Sequence, residues 1–129
     1  MTTPQRIIFV VDDDPDDLEF FREAILKIDD SFKCIQCADG KMAGQLIQLN
    51  IIPAIVFIDI NMPVYNGFEL LKDLRSKYNV ENLQIAMLST SMNAEYSAKL
   101  TSMGAQYTLQ KPSSFNGYLE MLTPILANI

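Results

Sequence analysis

The residues of this chain best suited to chemistry are carboxylates set directly behind apolar runs. "IIFVVDDDPDD", residues 7–17, places Asp12, Asp13, Asp14, Asp16 and Asp17 after an unbroken apolar segment, and Asp59 closes "IVFID" in the same way. Two carboxylates about 4 Å apart repel by roughly 4 kcal/mol at an effective dielectric near 20, so such a crowd needs a cation beside it or water around it. Lys111, in "LQKP", and Ser89, in "MLSTS", stand at two further run ends. Carboxylates and carbonyls at a partly hydrated site suit Mg²⁺, with Mn²⁺ as an alternative occupant. An aspartate in that setting is a competent covalent acceptor in phosphoryl transfer, which needs positioning, a bridging cation and donors on the phosphoryl oxygens. Asp59 as nucleophile, the metal on Asp13, and Lys111 with Ser89 on those oxygens would supply all of these parts.

The elements that must position these residues are legible as an alternation. Strand-like runs at Arg6–Val11, Phe32–Cys37, Ala54–Ile58, Gln84–Leu88 and Tyr107–Gln110 interleave with helix-period segments at about 16–28, 40–49, 66–78, 93–104 and 115–127. Inward stripes are expected from Leu18, Phe21, Ile25 and Ile28; from Met42, Leu46 and Leu49; from Phe68, Leu71 and Leu74; and from Tyr96, Leu100 and Met103. Asn66 and Asn93 read as N-caps, and Gly104 as a helix stop. Such βα alternation with short connections predicts a doubly wound parallel sheet covered by helices on both faces. Ligands of such sheets bind beyond the carboxyl ends of the strands, where Asp12, Asp13, Asp59, Ser89 and Lys111 all fall.

Composition narrows the class. The chain has 129 residues, 49% hydrophobic and 20% charged, with a net charge of −6. That is the length of one compact domain, and the acidity argues against direct nucleic-acid binding. No apolar run is long enough to span a membrane, and "MTTPQR" lacks a signal-peptide layout, so a cytoplasmic protein is expected. Cys34 and Cys37 spell C-x-x-C, but within a strand, away from the helix N-terminus that a redox pair needs; two separate structural thiols are expected.

Four stretches, "VVDDDP", "FIDINMPVYNG", "MLSTS" and "LQKP", occur in an order and at intervals that resemble the receiver domain of two-component response regulators, over the whole chain. The resemblance implies a (βα)5 flavodoxin-like three-layer sandwich with strand order 2-1-3-4-5. It implies that Asp59 is the phospho-acceptor, and that Asp13 binds the metal directly and Asp12 through water. Asn61 would give its backbone carbonyl to the metal, Ser89 would be the switch hydroxyl, and Lys111 the site lysine, followed by a cis peptide at Pro112. A sensor histidine kinase or histidine phosphotransfer protein would be the donor, and a protein effector the reader. The chain would act as a single-domain receiver over residues 1–129 with no output domain, as a monomer or phosphorylation-dependent dimer. It would not be an enzyme beyond its own phosphorylation and hydrolysis, the latter by water near Asn61 and Ser91.

Plainer readings apply to several of these residues. Asp14, Asp16 and Asp17 read as solvated acids capping the first helix and favouring its dipole. A calcium loop fails because its sixth position, which wants glycine, is Asp17. A phosphatase would want a second acid two residues after the nucleophile, where Asn61 stands. A flavin carrier would want a hydroxyl- and glycine-rich loop in place of "DDDPDD". A phosphorylation-independent interaction module is the remaining rival. Two positions depart from the family pattern. Thr108 stands where many receivers carry an aromatic switch residue, and Pro124 falls inside the last helix, which should bend or finish early.

Overall fold

The computed structural model describes residues 6–129; residues 1–5, most of the N-terminal segment read above, lie outside them. Ten elements alternate: β1 (Arg6–Val11), α1 (Pro15–Ile28), β2 (Phe32–Cys37), α2 (Gly40–Gln48), β3 (Ile55–Asp59), α3 (Gly67–Lys77), β4 (Gln84–Ser89), α4 (Ala94–Ser102), β5 (Tyr107–Gln110) and α5 (Phe115–Leu126). The strands form one sheet in the order β2-β1-β3-β4-β5, and every pairing is parallel. This is the expected flavodoxin-like doubly wound architecture.

The sheet is buried on both faces, which is why its strands read as continuous apolar runs. Successive side chains alternate between two cores. Ile8, Val10, Ile55 and Phe57 pack against α1 and α5 through Phe21, Ile25 and Leu122. Phe9, Val11, Val56 and Ile58 pack on the opposite side with Leu70, Leu71 and Leu100. Phe9, Phe21 and Phe57 are fully buried, each stabilising the fold by roughly 1.5–3 kcal/mol relative to exposure. The two cysteines fall on opposite faces, Cys34 beside the α1–α5 core and Cys37 in the other. Both are free, and burial pushes each thiol up to about 12, so neither is a redox nucleophile.

Local chemistry sets the helix ends. Asp14 caps α1, accepting from the Asp16 amide at 2.9 Å, with Pro15 in the first turn. Asn66 and Glu69 form a reciprocal capping box on α3, and Asn93 caps α4. Gly104 ends the α4 segment at φ +104°, where a side chain would be strained.

Three expectations are corrected. The inward face of α2 is centred on Gly40, Ala43 and Ile47; of the expected stripe only Leu46 packs against the core, while Met42 is 40% and Leu49 71% exposed. Close approach fixes the first turn: a Cβ at Gly40 would lie 2.5 Å from the Tyr65 ring, so the glycine side of α2 turns inward there. The α5 helix carries Pro124 within it and ends at Leu126 instead of finishing at the proline. Pro124 sits in the last turn, and Thr123 Oγ1 donates to the Leu119 carbonyl at 2.6 Å just before it. The peptide before Pro112 is trans, as are all described peptide bonds.

Candidate functional site

The strand order reverses between β1 and β3, which opens a crevice beyond their carboxyl ends. Asp12 follows β1, its amide extending the ladder to the Cys37 carbonyl at 3.0 Å. The residue is 2% exposed and its carboxylate accepts from the Asp14 amide at 3.0 Å, while Asp13 faces solvent. Asp59 is the last residue of β3 and 6% exposed. It is fixed from below by a close approach: a Cβ on Gly67 would lie 2.7 Å from the Asp59 carbonyl oxygen and 2.7 Å from Ile60 Cα. Ser89 ends β4, buried, its hydroxyl accepting from the Ser91 amide at 3.1 Å. The Lys111 amide donates to the Ser89 carbonyl at 2.8 Å, so the β4–β5 register itself delivers Lys111 to the crevice.

Asp12, Asp13 and Asp59 present ligand atoms within 4.8 Å of one another. Hard oxygen donors alone, two buried and one open to solvent, fit a divalent cation of the Mg²⁺ type that keeps part of its hydration. Asn61 is exposed, and its backbone amide stabilises the ionised Asp59 carboxylate. Lys111 Nζ lies 2.8 Å from Asp12 Oδ2, 2.7 Å from Asp17 Oδ2 and 3.7 Å from Asp59 Oδ2.

The electrostatics follow from this count. One ammonium serves a cleft of four carboxylates, with Asp12, Asp17 and Asp59 on its Nζ and Asp13 beside them, and leaves the cleft strongly acidic. Burial raises Asp12 to about 6; Lys111 and the Asp14 amide oppose the shift and Asp59 adds to it. Asp59 is raised as well, again by burial first, against the pull of Lys111 and the Asn61 amide. Burial alone would lower Lys111, but its hydrogen bonds to Asp12 and Asp17 hold it firmly protonated.

The sequence reading brought Asp12, Asp13, Asp59, Ser89 and Lys111 to one crevice, and the structure places all five there. It missed Asp17, which is a direct partner of Lys111 and not merely a solvated helix-mouth acid. The signal lay in helical spacing, because Asp17 continues the inward line of Phe21 and Ala24 by one turn. Asp14 is the cap it was read to be. Thr108 hydrogen bonds Ser97 of α4, whereas Tyr107 packs on the other face of the sheet, beside the α1–α5 core. Gln110 reaches the loop after Ser89, accepting from the Met92 amide at 2.9 Å and donating to the Thr90 carbonyl.

Fold and site together define an open α/β domain whose acidic, lysine-braced cleft sits at the topological switch point. The chain belongs to the response regulator receiver domain family, which matches residues 8–123. It is 30% identical over 111 residues to stress response regulator protein 1 of Lodderomyces elongisporus, covering 86% of this chain and 30% of that protein. It is 31% identical over 102 residues to a protein-glutamate methylesterase/protein-glutamine glutaminase of Methanococcus maripaludis, covering 76% of this chain and 27% of that one. The chain thus spans about a third or less of the length of these curated relatives. Among solved structures, Vibrio cholerae chemotaxis protein CheY4 superposes with a TM-score of 0.79 at 24% identity, covering 95% of this chain and 99% of that one. The Mn²⁺-bound form of response regulator Rcp1 gives 0.78 at 22% identity, covering 95% and 92%. At these identities both structures speak to the fold.

Proposed function

We propose that this receiver domain accepts a phosphoryl group on Asp59 from a phosphohistidine of a sensor kinase or phosphotransfer protein. The observation that carries the reading is the convergence of Asp12, Asp13 and Asp59 within 4.8 Å, with Lys111 braced 3.7 Å from Asp59. The donor's P–N bond breaks as an Asp59 carboxylate oxygen forms the new P–O bond. The imidazole keeps the electron pair and takes up a proton from solvent.

Asp12 and Asp13, with Asp59 and the Asn61 carbonyl, would hold Mg²⁺ or Mn²⁺. The bound cation supplies positive charge that keeps Asp59 ionised and balances the incoming phosphoryl oxygens. Lys111 contributes a fixed positive charge beside Asp59, and the Ser89 hydroxyl is a donor for a phosphoryl oxygen. The acyl phosphate takes Asp59 from one negative charge to about two. Ser89 and Lys111 then move toward the new oxygens and shift the surface built by α4 and β5 toward a second state.

Downstream contact is with protein, since the acidic chain offers no footprint for nucleic acid, and the expected compartment is the cytoplasm. Among the described residues no helix is long and apolar enough to cross a membrane. The domain catalyses only its own phosphorylation and hydrolysis; Asn61, not an acid, stands two residues after Asp59.

Intact mass after incubation with Mg²⁺ and acetyl phosphate tests this. A labile gain of one phosphoryl group is expected, absent from Asp59→Asn and from an EDTA control. A gain that persists in Asp59→Asn would refute the assignment.

A further inference from the structure

Lys111 is over-subscribed. Three carboxylates converge on its Nζ, and Asp17, with 26% of its side chain exposed against 3% for Asp12 and 7% for Asp59, is the least enclosed. A phosphoryl group on Asp59 would add about one further negative charge close to Nζ and compete for the same N–H donors. Asp17 is the partner that lysine can leave most easily, because its carboxylate can be rehydrated in part.

A second observation lies beside it. Between α1 and α5 is a small cavity of about 160 Å³ whose lining includes Asp17, Phe20, Ser114, Phe115 and Tyr118. Tyr118 is 2% exposed, and its buried hydroxyl has no hydrogen-bond partner among the described residues. Its ring is held by Phe21 in an edge contact at 5.1 Å and by Phe20, stacked at 6.4 Å, so the phenol is fixed in place. An unsatisfied buried hydroxyl costs roughly 1–3 kcal/mol, and such groups in folded domains usually have a reason. Burial first, and the nearby Asp17 charge next, push the phenol up to about 12, which keeps it a proton donor. A tyrosine whose buried hydroxyl has no acceptor and a carboxylate about to lose its donor line the same cavity.

We infer that Tyr118 is the second partner of Asp17: when phosphorylation of Asp59 draws Lys111 away, the Asp17 carboxylate turns into the cavity and accepts the Tyr118 hydroxyl. The exchange makes Tyr118 a positioning residue, acting on the site through Asp17, and ties α1 to α5 in the phosphorylated state. It rests on Asp59 as the acceptor.

The test is carbon NMR of the full chain labelled at tyrosine Cζ, with the Tyr118 signal identified from Tyr118→Phe. Lys111→Met, without any phosphoryl mimic, should move that signal downfield, as donation to a carboxylate requires. Adding Asp17→Asn should return it. An unmoved signal, or one that stays shifted in the double variant, overturns the inference whatever the fate of the acceptor assignment. Beryllofluoride with Mg²⁺ should produce the same downfield shift in the unaltered chain. Loss of all beryllofluoride binding there would refute the acceptor assignment, leaving the pairing decided by the Lys111→Met result.

Should Lys111→Met not fold, beryllofluoride affinity decides. Tyr118→Phe is expected to weaken it several-fold with Mg²⁺ affinity unchanged, and to have no effect once Asp17 is Asn. Equal affinities for Tyr118→Phe and the unaltered chain, or a loss that persists with Asp17→Asn, would overturn it.

Discussion

Asp12 shows how burial writes pH into this site. Its carboxyl is raised from 3.8 to about 6, so the folded chain holds that proton more tightly than the unfolded chain does. The resulting stability is complete below pH 3.8 and is lost as pH rises through about 6. In EDTA the domain should lose up to roughly 3 kcal/mol of stability between pH 4 and 7, read by urea unfolding, and Asp12→Asn should flatten that slope. Mg²⁺ should reverse the trend, because the ionised form is the ligand. Its affinity, followed by calorimetry, is expected to fall up to about tenfold per unit below pH 6. Val64 carries a different cost: it is β-branched, fully exposed and held at φ 65°. Val64→Asn should stabilise the fold by about 1 kcal/mol, measured by the same denaturation, since Asn tolerates the left-handed region. At this scale Asp12, Asp13, Asp59, Ser89 and Lys111 were legible because strand ends are legible. Asp17 was not, because a helix-mouth acid reads as a cap unless its place on the inward stripe is weighed against its charge.

Elements are placed by close contacts that hydrophobicity does not reveal. The inward face of α2 begins on a glycine because the Tyr65 ring needs the room at Gly40, so a stripe chosen for bulk places Met42 and Leu49 inward when they face out. Gly67 plays the same part under the acceptor, where a methyl group would meet the Asp59 carbonyl oxygen and Ile60 at 2.7 Å. Gly67→Ala should destabilise the domain by about 1–3 kcal/mol and weaken Mg²⁺ binding with it, because the backbone that must yield carries Asp59. Melting curves with and without Mg²⁺ read both effects. Between α4 and β5, the Ser97–Thr108 hydroxyl pair occupies the place where the resemblance implied an aromatic switch. A double-mutant cycle with Ser97→Ala and Thr108→Val should show a coupling of about 1 kcal/mol in stability. Additive effects would mean that the pair does not hold the two elements together.

Across the whole molecule, the alternation of apolar runs and helix-period segments was enough to read the class of fold, because a parallel sheet buried on both faces leaves few other arrangements. The 2-1-3-4-5 order came from the four motif stretches and not from periodicity, which is blind to which strands are neighbours. Order matters because it alone brings Asp12 and Asp59 to one crevice and β5 to its rim with Lys111. The same topology sets α1 against α5, so the residues around Asp17 and Tyr118 belong to the site's second rim. On the proposed function, this crevice forms an acyl phosphate on Asp59. The most direct measurement is borohydride reduction of the phosphorylated chain followed by peptide mass mapping, since hydride converts an aspartyl phosphate to homoserine at the acceptor position alone. Homoserine is expected at position 59 and nowhere else, dependent on Mg²⁺ during phosphorylation. Homoserine at another aspartate of the cleft, with position 59 unchanged, would contradict it.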